Sequence, residues 1–266
     1  VCFGNVFQLF YSLADTRIVG STLGETSLAA VGATTSISTL LIGFLSGMTN
    51  GFAIIVAQQF GRKDEKKIRK TIAGTLLLGF ILSIAISLLS LTFLDNILNI
   101  LNVSPELYGE SSLYIKVILA GITATMFYNA FAGVLRAIGD TFAPLMFLII
   151  ACGLNIFLDL YFILKLNMGV SGAGLATVIS QAFSVLLCII YMWKRYPMFR
   201  VKKSDFLIKI DLLKKLCSSG FSMGMMMSLV FFGTLALQTA INTFGTNIIV
   251  AHTASRKLTE FFMLPF

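Results

Sequence analysis

Five stretches of this chain carry no charged side chain: residues 26–61, 71–94, 117–135, 166–193 and 216–255. Each reaches or exceeds the ~18–20 apolar residues that an α-helix needs to cross the hydrocarbon core of a bilayer. The composition agrees. Charged residues make up 12% of the chain and hydrophobic ones 57%, whereas ordinary soluble domains carry roughly 25% charged residues. The reading is an all-α, polytopic membrane protein: a six-helix bundle, then the first two helices of a second, repeated lobe.

Along the chain, helix 1 is expected to end at Gly20, with Gly24 in the turn that follows. Helix 2 covers residues 28–60 and is long enough that it must tilt or protrude. Its Gly43, Gly47 and Gly51 form a small-xxx-small ridge suited to close helix packing. Helices 3 to 6 are placed at 71–94, 111–135, 141–164 and 173–193, with an acidic loop at 95–110. A polar connection at 194–215 contains FLIKIDLLKKL, whose pattern predicts an amphipathic helix lying along the membrane surface. Helix 7 is placed at 218–244, and helix 8 starts near Asn247. The lobes divide as 1–193, an inter-lobe linker at 194–216, and 217–266. The chain opens on Val1 and stops at Leu264-Pro265-Phe266 inside an apolar segment, which reads as a fragment cut at both ends.

The loops after helices 2 and 6 hold fourteen of the twenty Lys and Arg residues, and the loop after helix 3 holds none. Cytoplasmic loops carry such an excess, so the N-terminus is expected inside. The net charge of +8 is therefore a topology signal; with no basic stripe interleaved with exposed aromatics, nucleic acid is not an expected partner. A weak internal repeat supports two lobes in the same orientation. Ser21–Gly24 and Ser27–Ala33 align with Asn242–Gly245 and Ile248–Ala254 at a constant offset, and paired repeats with a substrate path between them are a known transporter plan.

Polar residues inside these runs are the candidate site. Asp15 interrupts the apolar run of helix 1, and a charge at mid-membrane costs about 2.5–3.5 kcal/mol even on lenient scales. Asp159 lies about five residues before the outer end of helix 5, as Asp15 does in helix 1. Asn155 is one turn from Asp159 on the same face, and Thr177 is at similar depth in helix 6. Burial disfavours an ionised carboxylate, and a second carboxylate nearby disfavours it further. Such a pair would hold and exchange a proton, or bind Na⁺ with Asn155 and Thr177 oxygens completing the shell. A second ionisable group, His252, Arg256, Lys257 and Glu260, falls on helix 8. Arg256 and Glu260 are an i,i+4 pair, read either as mutual neutralisation or as part of a second-lobe cavity. The Met cluster at 223–227 is read as packing or as a pliable contact surface.

Four cysteines (Cys2, Cys152, Cys188, Cys217) without CxxC spacing read as small buried hydrophobes. One histidine excludes a multi-His metal site, and no cofactor is expected beyond a coupling ion. Without HExxH, Gly-x-Ser-x-Gly or a second His there is no constellation for an intramembrane enzyme, and a channel remains a different-class alternative.

In these residues the chain resembles the multidrug and toxic compound extrusion (MATE) family, on its bacterial DinF-like branch. The matching stretches are LFYSLADTRIVGSTLGETSLAAVG, AQQFGRKD, LRAIGDTFAP, LNIFLDLYFIL and MGVSGAGLATVISQ, in family order across the chain. The resemblance implies two six-helix lobes exporting drugs or metabolites in exchange for H⁺ or Na⁺, with Asp15, Asn155, Asp159 and Thr177 as the first lobe's cation site. The partners would be a lipophilic or cationic small molecule and the bilayer, in a bacterial cytoplasmic membrane, with a monomer expected at full length. The alternative within the superfamily is a lipid-linked precursor or polysaccharide flippase. The acidic residue that some relatives carry in helix 7 is absent here.

Overall fold

The computed structural model describes residues 17–101, 103 and 105–242, with side chains excepted at 36, 100 and 234–242. Among the described residues every regular element is helical. A short end of the first helix, α1 (17–23), is followed by α2 (Glu25–Gly61), α3 (Glu65–Thr92), α4 (Leu94–Ile100), α5 (Pro105–Ala120) and α6 (Ile122–Ala137). Then come α7 (Phe142–Leu160), α8 (Gly169–Arg195) and α9 (Ile210–Asn242). Five helices have the length and apolarity to cross a membrane, six if α5 and α6 count as one bent span.

Why these segments associate is plain from α3. Beyond Ile68, Ile72 and Ala73 near its start, its buried positions are Thr71, Gly74, Thr75, Gly79, Ser83, Ser87 and Ser90, while Phe80, Ile81, Leu88 and Leu89 are exposed. A water-soluble helix would reverse this pattern. In lipid there is no hydrophobic gain from burying leucine, so small and weakly polar residues take the interior and let backbones approach. The same arrangement repeats on α8, where Ala173, Ala176, Ser180, Ser184 and Cys188 are buried at every third or fourth residue. Its Phe183, Leu186, Ile190 and Trp193 face outward.

Interhelical hydrogen bonds from these small residues fix the packing. Ser87 Oγ donates to the Leu119 carbonyl at 2.8 Å, Ser111 Oγ to Ala30 at 3.0 Å and Ser219 Oγ to Gly51 at 2.9 Å. The α2–α9 pair is the most extensive helix contact. A methyl group on Gly47 would lie 2.9 Å from Gly224 Cα, and one on Gly51 would lie 2.7 Å from Gly220 Cα. The expected ridge therefore packs at Gly47 and Gly51. Gly43 has open space around it.

Several boundaries differ from the sequence reading. The first helix runs on to Leu23 and breaks at Gly24 (φ 93°), a left-handed backbone conformation that glycine adopts without penalty. The expected acidic loop at 95–110 is largely helical. Leu94 and Leu98 bury against Ile115, Ile118 and Leu119, and Pro105 opens α5, where its missing N–H costs nothing. The expected single helix at 111–135 is bent by 43° at Gly121; Val178 of α8 occupies the side where a Cβ would stand. The expected surface helix in 194–215 is absent. Two short 3₁₀ turns (Pro197–Phe199 and Lys203–Phe206) lead into α9, whose first turns bury Leu216 against Met48 and Phe52. The second repeat copy lies outside the described residues except for its first position.

Candidate functional site

α7 buries Ala151, Asn155 and Asp159, one turn apart, while Ile150, Phe157 and Leu160 on its other sides are exposed. A stripe at i, i+4, i+8 lies on one helix face, and α8 packs along α7. Asn155 and Asp159 have no solvent-accessible surface. Thr177, half-buried on α8, is brought to Asn155. With the Asn155 amide turned so that each end meets a complementary group, Nδ2 donates to Asp159 Oδ2 at 3.2 Å. The amide oxygen then accepts from the Thr177 backbone N–H at 3.2 Å. Turned the other way, Nδ2 would donate to Thr177 Oγ1 at 3.4 Å, but the amide oxygen would face the Asp159 carboxyl, acceptor against acceptor, so the first orientation is the satisfied one.

An ionised carboxylate only accepts, which suits an amide that points its NH₂ at Asp159. Of the four side chains expected from sequence to cluster, Asn155, Asp159 and Thr177 are brought together.

Directly after Asp159 the helix widens into a π-helical turn, Tyr161–Lys165, closed by Leu166 N–H to the Tyr161 carbonyl at 3.2 Å. Such turns concentrate at functional sites, and nothing in the composition of YFILK signals one. The widened turn buries Ile163 against Ala173 and against Val19, on the described end of α1. Asp15, one helical turn earlier in the sequence than Val19, lies outside the described residues, as do His252, Arg256, Lys257 and Glu260. Of the Met cluster, Met225, Met226 and Met227 are exposed.

A second polar cluster, at the end of the bundle where α2 meets α3, was not found from sequence. Asp140, in the turn between α6 and α7, accepts the Tyr191 hydroxyl at 2.8 Å, the Tyr196 hydroxyl at 2.9 Å and the Ala143 N–H at 3.1 Å. Burial alone would push this carboxyl up. The hydrogen bonds from Tyr191, Ala143 and Tyr196, helped by Arg195, outweigh burial and hold it below the ordinary carboxylate range. Burial first, then the bond to Asp140, pushes the Tyr196 phenol up to about 12, so it stays a donor at physiological pH. The cluster ties the start of α7 to the end of α8. On the neighbouring helix, Arg136 Nη2 donates to Asn50 Oδ1 at 3.4 Å, joining α6 to α2. The signal available in sequence was the pair of tyrosines five residues apart at the end of helix 6, opposite the only carboxylate between helices 4 and 5.

Membrane-length helices enclosing a carboxylate, amide and hydroxyl between two of them define a polytopic α-helical membrane protein with an intramembrane polar site. The chain belongs to the MatE family, whose model matches residues 1–161. It is 27% identical to the probable multidrug resistance protein YpnP of Bacillus subtilis, with all of this chain and 59% of that relative aligned. It is 24% identical to the multidrug export protein MepA of Staphylococcus aureus, covering 97% of this chain and 57% of MepA. The crystal structure of MATE in the bent conformation superposes with a TM-score of 0.90 at 26% identity, over 99% of this chain and 59% of that one. The chain thus spans less than two thirds of the relatives it matches.

Proposed function

We propose that this chain forms the greater part of a cation-coupled antiporter that exports drugs or other lipophilic or cationic small molecules by alternating access. Residues 1–193 are its first lobe, 194–216 the connection, and 217–266 the start of the second. The basic ends of the helices face the cytoplasm of a bacterial cell, in keeping with the excess of Lys and Arg there. Membership of a family whose relatives are named for multidrug resistance and export supports the cargo class.

The observation that carries the coupling is the fully buried Asp159 beside the Asn155 amide, which donates to it and is itself held by α8. A carboxylate with no solvent access needs a proton or a cation to neutralise it, and the Asn155 amide donates to the ionised form. Na⁺ is the alternative occupant; the Asp159 carboxylate, the Asn155 carbonyl and the Thr177 hydroxyl are all oxygen donors, as a hard cation requires. In either case Asp15 joins the site from helix 1. The ion drives transport only by binding one conformation better than the other. The π-turn after Asp159, packed on the end of α1, is where occupancy would be felt.

The test is dye efflux from vesicles holding the full-length protein, under an imposed proton gradient and then a sodium gradient. Wild type responds to one of the two. Asp159→Asn and Asp15→Asn insert normally and lose the gradient response. Gradient-driven efflux at wild-type rates in both variants overturns the assignment.

A further inference from the structure

A cavity of ≈ 450 Å³ opens where the end of α2 and the starts of α3 and α9 converge. Six cations line it: Arg62, Lys66, Lys67, Lys70, Lys209 and Lys215. Two carboxylates, Asp64 and Asp211, share the wall. Asp64 is already engaged, accepting the Lys67 N–H at 3.0 Å and pairing with Lys67 Nζ at 2.9 Å. Lys70 Nζ donates to the Leu207 carbonyl at 3.2 Å. Arg62, Lys66, Lys209 and Lys215 have no ion pair among the described residues. The wall therefore holds a surplus of positive charge around a concave space. Gln59 and Thr71 are the uncharged polar residues on the same wall.

We propose that this cavity binds the headgroup of an anionic phospholipid, its phosphate against the lysines. Three membrane-length helices, Ile37–Gly61, Glu65–Thr92 and Ile210–Gly233, all have an end at this cavity. It therefore sits at the level of the lipid headgroups, where basic pockets between helices hold such lipids. The connection entering α9 carries Phe206, Leu207 and Ile210 exposed on either side of Lys209, with Leu207 the most exposed large apolar side chain among the described residues. Apolar side chains alternating with a cation suit acyl chains below and a phosphate above. They suit a soluble phosphate compound poorly. A bound headgroup would brace the α2–α3 turn against the start of α9.

The test is native mass spectrometry of the purified protein in neutral detergent, titrated with phosphatidylglycerol or with phosphatidylcholine of the same acyl chains. Phosphatidylglycerol should bind at least about tenfold more tightly. The combined variant Lys66→Gln, Lys209→Gln, Lys215→Gln should lose that preference. The equally neutralised control Lys194→Gln, Lys203→Gln, Lys214→Gln, outside the cavity, should keep it. Equal binding of the two lipids, or equal loss in both triple variants, overturns the site. Displacement of phosphatidylglycerol by millimolar inorganic phosphate would make it a site for free phosphate and overturn the lipid assignment.

Discussion

Gly51→Ala isolates the packing of α2 on α9. The new Cβ would stand 2.7 Å from Gly220 Cα, whereas carbon atoms in contact prefer ~3.5–4.0 Å. Both partners are helix backbone, so neither can rotate away, and the axes must part locally by about 1 Å. A gap of 0.5–1 Å forfeits about a quarter to a half of each neighbouring dispersion contact. The contacts at stake include Phe52 against Gly220, Met48 against Gly224 and the edge-to-face Phe44–Phe221 pair at 6.3 Å. Overpacking of this kind costs about 1–3 kcal/mol, and stretching the Ser219–Gly51 hydrogen bond adds about 0.6 kcal/mol. The better helix propensity of alanine returns about 0.5–1 kcal/mol. The net expectation is a loss of about 0.5–3 kcal/mol. Gly43→Ala on the same ridge meets nothing within 4 Å, so it keeps only the propensity gain. The assay is equilibrium unfolding in mixed micelles titrated with sodium dodecyl sulfate, comparing the two variants. If Gly51→Ala proves as stable as Gly43→Ala, the backbone contact between α2 and α9 is not what holds them together.

Asp140→Asn should lower the melting temperature at neutral pH, because it weakens charge-assisted acceptance from Tyr191 and Tyr196; solvent access at this site discounts the effect to about 1 kcal/mol. The folded carboxyl titrates below its unfolded value, so its contribution is present above the ordinary carboxylate range and is lost as pH falls through the folded pKa. The melting difference between wild type and variant should therefore shrink below about pH 4; a constant difference would count against the charge. Ser87→Ala removes a buried bond to the Leu119 carbonyl and should cost about 0.6 kcal/mol, at most about 1.7, in the same micelle titration. No measurable loss there would mean that α3 and α5 are held by shape alone.

The membrane-length helices and the Asn155–Asp159 pair were legible because both rest on short-range rules, hydropathy over one helix and i,i+4 spacing within it, and Thr177 followed from counting depth along the next helix. The connections were not, since their fate depends on what they touch. Residues 95–110 look like a loop by charge, yet Leu94 and Leu98 find a partner face on α5. FLIKIDLLKKL has an amphipathic pattern that suits a membrane surface, and its last residue, Leu216, is instead buried in one cluster with Met48 and Phe52 of α2. Amphipathicity says that a segment has an apolar face, and only the fold says what covers it. Asp140 escaped notice for a related reason. Its two tyrosines sit more than fifty residues away in sequence, and a carboxylate beside Gly139 reads as an ordinary turn residue. The π-turn after Asp159 is the harder case, because it has no compositional mark at all. It exists where α7 must bring Ile163 under Val19 and Ala173, a demand set by three helices meeting. This is the same junction at which the buried carboxyl would have to signal its occupancy. A site that couples binding to movement is built where several elements must agree, and there the local pattern of any one of them is least informative.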